Sequence, residues 1–251
     1  MKNLFAFEFR KLFRSKSFYI LLFISLVPII IQAFFLYTQS TGPEPWDEVV
    51  TAFSMLRDSA SYSSTSLCFG IFIALFMLED FNCGTIKVVY GRGYRRSAVF
   101  AVKFLIVELC VTLFFVATCG TNFICGLIFF KKGTAPARLA VTLLAQLAVF
   151  LAYGAVFFSF ATLFKKTGGS IASVLLIPSV VQLLAAFGDS FVVKINKKWS
   201  ITRYTLSNAI DELTVAGTIT SKTVLFSCLL ALAYVVVFAV LSGILFRKRD
   251  V

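Results

Sequence analysis

Apolar residues run in long blocks along this chain, separated by short polar stretches rich in Lys and Arg. A hydrocarbon core of roughly 30 Å takes about 20 helical residues, at about 1.5 Å of rise each. On that measure the blocks predict six membrane spans, over about 18–37, 61–78, 99–130, 139–164, 171–187 and 223–246. Pro28 removes a backbone donor from the first span and predicts a kink. The fifth contains Pro178 and Gln182. The third is longer than one crossing needs, which predicts tilt or a break near Gly120 and Asn122.

Shorter patterns fill the gaps. Over residues 1–17, Phe5, Phe9, Leu12 and Phe13 fall on one side of a helix, with Arg10, Lys11 and Arg14 largely on the other. That is the pattern of an amphipathic helix lying along the inner membrane surface, in contact with lipid; the plainer alternative is a basic flank to the first span. Trp46, Val49, Val50, Phe53 and Leu56 repeat at helical spacing after Pro45, with Asp47 and Glu48 in the first turn, and predict a short outer helix. In the outer loop 188–222, Leu206, Ala209, Ile210 and Leu213 predict a second short or re-entrant helix, capped by Ser207 or Asn208. In the fourth span, Ala148 and Ala152, then Ala155 and Ser159, stand four apart, which allows a neighbouring helix to come close.

Composition agrees with this reading. Of 251 residues, 59% are hydrophobic and 14% charged, which excludes an ordinary soluble domain and predicts an all-α polytopic membrane protein. The net charge of +12 does not indicate nucleic acid, because Lys and Arg flank the spans and form no basic face on a soluble fold. Placing both termini in the cytoplasm puts 15 of the 24 Lys and Arg residues inside and 9 outside, the expected bias. The six cysteines lie mostly inside apolar runs and there is no histidine, so no zinc site, redox pair or disulfide framework is predicted. The first span lacks a small-residue cleavage site and reads as a retained anchor.

Two features carry candidate chemistry. The first is the polar, basic stretch from Glu79 to Lys103, with a loop over 79–98. Glu79 and Asp80 stand where the second span should end, facing the negative end of its macrodipole at a cost of about 0.3–1 kcal/mol. Compensation is expected from Arg95 and Arg96 folding back, or from a docked partner. Thr85 is placed to cap a short helix through Ile86, Val88, Val89 and Tyr90, stopped by Gly91 and Gly93. Such a helix, with Lys87 beside its Val/Tyr face, is a docking surface; the alternative is an ordinary basic loop. The second feature is Glu108, about two turns into the third span. An ionisable group at that depth is a functional candidate, or it makes a structural hydrogen bond to a hydroxyl or amide on a neighbouring helix.

Other chemistry is excluded. No glycine-rich phosphate loop occurs, and without histidine there is no Ser-His or Cys-His pair, so the chain is not expected to be an enzyme by itself.

With these features the chain resembles the ABC-2 type permeases, especially the bacterial kind that includes bacteriocin and lantibiotic immunity exporters. The resemblance rests on the basic N-terminal helix, the six-span layout with a long last outer loop, and the connector pattern of Glu79, Gly84, Thr85, Ile86, Lys87, Gly91, Arg95 or Arg96, and Lys103. It implies a single transmembrane domain over 1–251 in a bacterial cell membrane. The connector, with Asp80 and Tyr90, would then hold a coupling helix seated in a cleft of a separate ATPase subunit. ATP and Mg would sit on that partner, leaving no cofactor on this chain. A second permease subunit, identical or related, would complete an exporter of an amphipathic or apolar substrate. Two rivals remain open: a non-transporting scaffold or regulatory subunit, and an ion-coupled carrier using Glu108.

Overall fold

The computed structural model describes residues 2–40, 50–61, 63–135, 138–164, 166–195, 200–214 and 220–248. The start of the predicted Trp46 stripe, with Pro45, Asp47, Glu48 and Val49, lies outside the described residues, as do Lys165, Lys197, Lys198 and Arg249. Among the described residues the α-helices are α1 (Lys2–Arg14), α2 (Lys16–Ser40), α3 (Ala52–Arg57), α4 (Ser63–Asn82), α5 (Thr85–Gly91), α6 (Arg96–Phe129), α7 (Leu139–Leu163), α8 (Thr167–Ile195), α9 (Leu206–Thr214) and α10 (Ser221–Lys248). Six of them, α2, α4, α6, α7, α8 and α10, are long and apolar enough to cross a membrane, so this is a multi-pass membrane protein.

Helices α4, α6 and α7 form the centre and bury about half or more of their apolar windows; α2, α8 and α10 lie around them with most residues turned outward. Between lipid and protein there is little hydrophobic drive, so association rests on close packing and polar contacts. The centre is built on rings. Phe69 of α4 is fully buried, with Phe114, Phe150 and Phe157 at centroid distances of 6.3, 5.8 and 5.7 Å. Phe18 of α2 joins through Phe72 and Phe114 at 5.6 and 5.7 Å. Such aromatic pairs contribute about 0.5–1.5 kcal/mol each beyond their area.

The most extensive helix pair is α7 with α10. Small residues allow it: Ala152, Ala155 and Ser159 of α7 are buried, and α10 answers with Ser227, Ala231 and Ser242. The Ser159 hydroxyl lies 2.9 Å from the Phe238 carbonyl across this interface. The small-residue spacing of the fourth span thus sits at a real helix contact, although Ala148 is only half-buried.

Several expectations are corrected. Helix α4 continues through Glu79 and Asp80 to Asn82, and α6 already begins at Arg96, so the connector is shorter than 79–98. Helix α6 does not break near Gly120. It runs 34 residues, about 51 Å, and the Asn122 amide donates back to the Thr118 carbonyl of its own helix at 3.0 Å. Helix α3 begins at Ala52, leaving Val50 outside it. Thr51 is its cap, in a reciprocal capping box with Ser54. Helix α9 is capped by neither Ser207 nor Asn208: the Asn208 N–H donates to Thr205 Oγ1 at 3.4 Å. In α1 the inward side is Leu4, Glu8 and Leu12, four apart, while Phe5, Phe9 and Phe13 form an exposed ladder. Leu12 therefore does not share a face with the phenylalanines, and Lys11 turns inward.

Candidate functional site

Helix α5 follows directly on the end of α4, and at that end a cluster of charges ties α4 to α1 and α6. Asp80 is buried, one turn beyond Phe76 on the face of α4 turned to α1 and α6. Lys11 of α1 donates to Asp80 Oδ1 at 2.5 Å, and Lys103 of α6 donates to Asp80 Oδ2. Lys103 Nζ also lies 3.0 Å from Glu8 Oε1, and Lys11 Nζ lies 3.3 Å from Glu79 Oε2. The Phe76 ring faces both ammonium groups, with its centroid 4.9 Å from Lys11 and 5.6 Å from Lys103. Lys103 is buried to 1% exposure, among Val99, Val102 and Ile106 of its own helix. Taking such groups out of water costs several kcal/mol per ion, offset only where each charge meets opposite charge at good geometry.

This cluster supplies the compensation that α4 requires. It comes from Lys11 and Lys103, not from the expected Arg95 and Arg96. Glu79 and Asp80, neighbours in sequence, part company: the Glu79 side chain is 57% exposed and Asp80 is buried.

The connector proper covers residues 83–95. Gly84 has φ +68°, a left-handed conformation that a Cβ disfavours, and it turns the chain from α4 into α5. Gly84, not Thr85, is the residue before the first helical position, with no side-chain cap. Helix α5 is pinned by Ile86, which is 1% exposed, while Lys87 and Val88 face outward with Gly91 and Arg92. Tyr90 is half-buried beneath the Arg96 guanidinium, 5.6 Å from its ring centroid. Burial pushes the Tyr90 hydroxyl above its usual range, partly opposed by that arginine. Gly93, at φ +85°, closes the turn, and Arg95 leads into α6. The result is a short anchored helix presenting Lys87, Val88, Arg92 and Arg95 on an exposed surface, suited to an acidic and apolar cleft.

Glu108 is not part of this cluster. Its carboxylate stands in the α6–α7 interface against Gly154, where an added Cβ would lie 3.3 Å from Oε2 and 3.5 Å from Oε1. Both oxygens are shut off from solvent and have no hydrogen-bond partner among the described residues. Among the described residues, then, no hydroxyl or amide of the kind expected for a purely structural role meets Glu108. Lys103, five residues away, is engaged by Glu8 and Asp80.

Sequence reasoning missed Glu8, set Lys11 on the polar side of the N-terminal helix and took Lys103 as the end of the basic connector, without burying either. A signal was present: Glu8 is the only acid of α1, four from both Leu4 and Leu12, and Lys103 interrupts the apolar run from Val99 to Ile106.

A family model described as "Protein of unknown function (DUF2705)" matches residues 18–251. The chain belongs to this family. The DUF2705 match starts just after α1, so Glu8 and Lys11 lie outside it while Asp80, α5, Lys103 and Glu108 lie within. This DUF2705 chain is also similar to the uncharacterized protein YhcI of Bacillus subtilis (strain 168), with 28% identity over 230 residues, covering 82% of this chain and 71% of that one.

Proposed function

We propose that the chain is the permease subunit of an ATP-driven exporter of the ABC-2 type, in a bacterial cell membrane with both termini cytoplasmic. The observation that carries this reading is α5, an anchored helix with an outward-facing Lys87, Val88 and arginine surface on the short connector between two central spans. On this reading α5 is the coupling helix, and a separate ATPase subunit holds the ATP and Mg. The charge cluster supports it mechanically, because the ion pairs from Asp80 to Lys11 and Lys103 tie the connector end of α4 to α1 and α6. The exposed Phe5, Phe9 and Phe13 ladder of α1, next to Arg10 and Arg14, suits the interfacial lipid of the inner leaflet. A second permease subunit, identical or related, completes the transporter, and the cargo is apolar or amphipathic.

Affinity purification of the tagged chain from its host in mild detergent tests the assignment. A phosphate-loop ATPase is expected to come with it and to be lost, or uncoupled, when the connector is altered. Glu79→Lys is expected to keep the protein inserted and to cut ATP-driven transport, since Glu79 is exposed beside α5 and its change leaves Asp80 paired. Absence of any ATPase under conditions that keep the complex intact overturns the reading.

Glu108 favours a second reading, an ion-coupled carrier, because its two unpartnered oxygens are enclosed between α6 and α7. Glu108→Gln separates the two. An unpaired buried carboxylate adds nothing to the fold, so the variant should be as stable as the parent or slightly more so. Under the exporter reading ATP-driven transport persists; under the carrier reading activity disappears in the variant, and in the parent when the proton gradient is collapsed at constant ATP.

A further inference from the structure

Helix α8 packs on α4 through Val174 and Gly70, and two adjoining cavities flank it. The first, of about 410 Å3, lies between α7, α8 and α10 and is walled by Phe157, Phe160, Tyr234 and Phe238 with aliphatic neighbours. The second, of about 340 Å3, lies between α4, α7, α8 and α9 and carries Ser61, Ser66, Ser179 and Asp211 on its wall. They share Tyr153, Pro178, Gln182 and Ser207. At this junction the Tyr153 and Ser207 hydroxyls are 3.0 Å apart, a polar bar across the neck between an aromatic chamber and a hydroxyl-lined one. Each chamber falls within the roughly 300–1,000 Å3 of small-ligand sites. Asp211 is the only charged side chain among the residues lining either chamber, and α9 carries Asp211 and Glu212 with no Lys or Arg.

The geometry points to a binding site for a cationic amphiphile, its apolar body in the aromatic chamber and its cationic head in the second chamber facing Asp211. Charge decides between this occupant and bilayer lipid. The phosphate of a lipid headgroup is repelled by Asp211, whereas an ammonium gains a charge-assisted contact there and favourable ring faces on its way in. Sequence could not assemble the site, because its walls come from four spans and a loop helix. This inference deepens the permease reading and rests on it for one point, that the ligand is cargo. The binding itself stands alone.

The test uses the full-length chain in lipid nanodiscs and decyltrimethylammonium carrying a diazirine in its alkyl chain. Photolabelling is expected to saturate and to map to the α7 and α10 walls around Phe160 and Val237. Asp211→Asn, at an exposed position that does not support the fold, is expected to raise the half-saturating concentration about tenfold. Ala233→Phe, also at an exposed position, places a ring in the aromatic chamber and is expected to abolish saturable labelling. Labelling that never saturates, that decanol displaces as well as the ammonium does, or that Asp211→Asn leaves unchanged identifies the occupant as acyl chains and overturns the proposal. The assay needs neither ATP nor a partner. An ATPase recovered without saturable labelling removes this site and leaves the permease; saturable labelling without any ATPase keeps the site and removes the permease.

Discussion

Lys103→Met is expected to destabilise the protein by about 3–5 kcal/mol, the cost of leaving a buried partner charge uncompensated. The cause is specific. Lys103 is the cation that Glu8 Oε1 meets at 3.0 Å and that also bonds Asp80 Oδ2, and Glu8 and Asp80 are 2% and 3% exposed. Methionine fills the space of the stem but leaves Asp80 with Lys11 alone and takes from Glu8 its buried ammonium. Equilibrium unfolding in SDS mixed micelles reads the loss. The double variant Glu8→Leu/Lys103→Met keeps the Lys11–Asp80 pair and removes both members of the other, so it is expected to recover most of the stability. A double-mutant cycle with a coupling below about 0.5 kcal/mol would show that the two side chains do not act as a pair.

Gly84→Pro is expected to give the largest functional loss among connector changes. Gly84 sits at φ +68°, and proline holds φ near −65°. Its N–H also donates to the Phe81 carbonyl at 3.3 Å, a bond proline cannot make. The chain must therefore leave α4 in another direction, and α5 is carried away from the seat fixed by Ile86. On the exporter reading the variant inserts normally but no longer couples to its ATPase, seen as transport falling to background while ATP hydrolysis or co-purification is altered. Gly84→Asn is the control, since asparagine tolerates the left-handed region and should retain most activity. Full ATP-driven transport by the proline variant would remove α5 from the coupling role.

Much of the frame was legible along the chain. Each predicted span corresponds to a helix, because about 20 consecutive apolar residues can satisfy their backbone in a bilayer in few other ways. The short α9 was legible through Leu206, Ala209, Ile210 and Leu213, three of which are well buried and the fourth, Ile210, at 9%. Boundaries were less so. The acids at Glu79 and Asp80 read as a stop, yet α4 continues past them, because a buried ammonium on either side makes a carboxylate there favourable. Caps moved by one to three positions, from Ser207 or Asn208 to Thr205 and from Thr85 to Gly84, since a cap depends on where the preceding backbone turns.

The candidate site divides along the same line. The connector helix α5 could be read from its glycines, which are local, although of its Val/Tyr face Val88 is exposed while Val89 and Tyr90 are half-buried. Its foundation could not, because Glu8, Asp80 and Lys103 are brought together from α1, α4 and α6, and nothing in one segment marks a charge as buried by another. Lys103 read as the end of the basic connector, and Glu8 attracted no attention. Glu108 was legible as a polar residue in an apolar run, but that it would face Gly154 without a hydrogen-bond partner was settled only by how α6 meets α7.

By itself, then, the sequence determined the class of molecule, the number of spans and the existence of a basic connector helix, since all three follow from hydropathy and turn chemistry over short stretches. Only the tertiary structure decided which charges are buried together, which phenylalanines build the core rather than face lipid, and that a chamber with one acid opens beside α8. Those outcomes depend on contacts between residues tens to more than a hundred positions apart, and periodicity within a helix carries no information about which neighbour its face will meet.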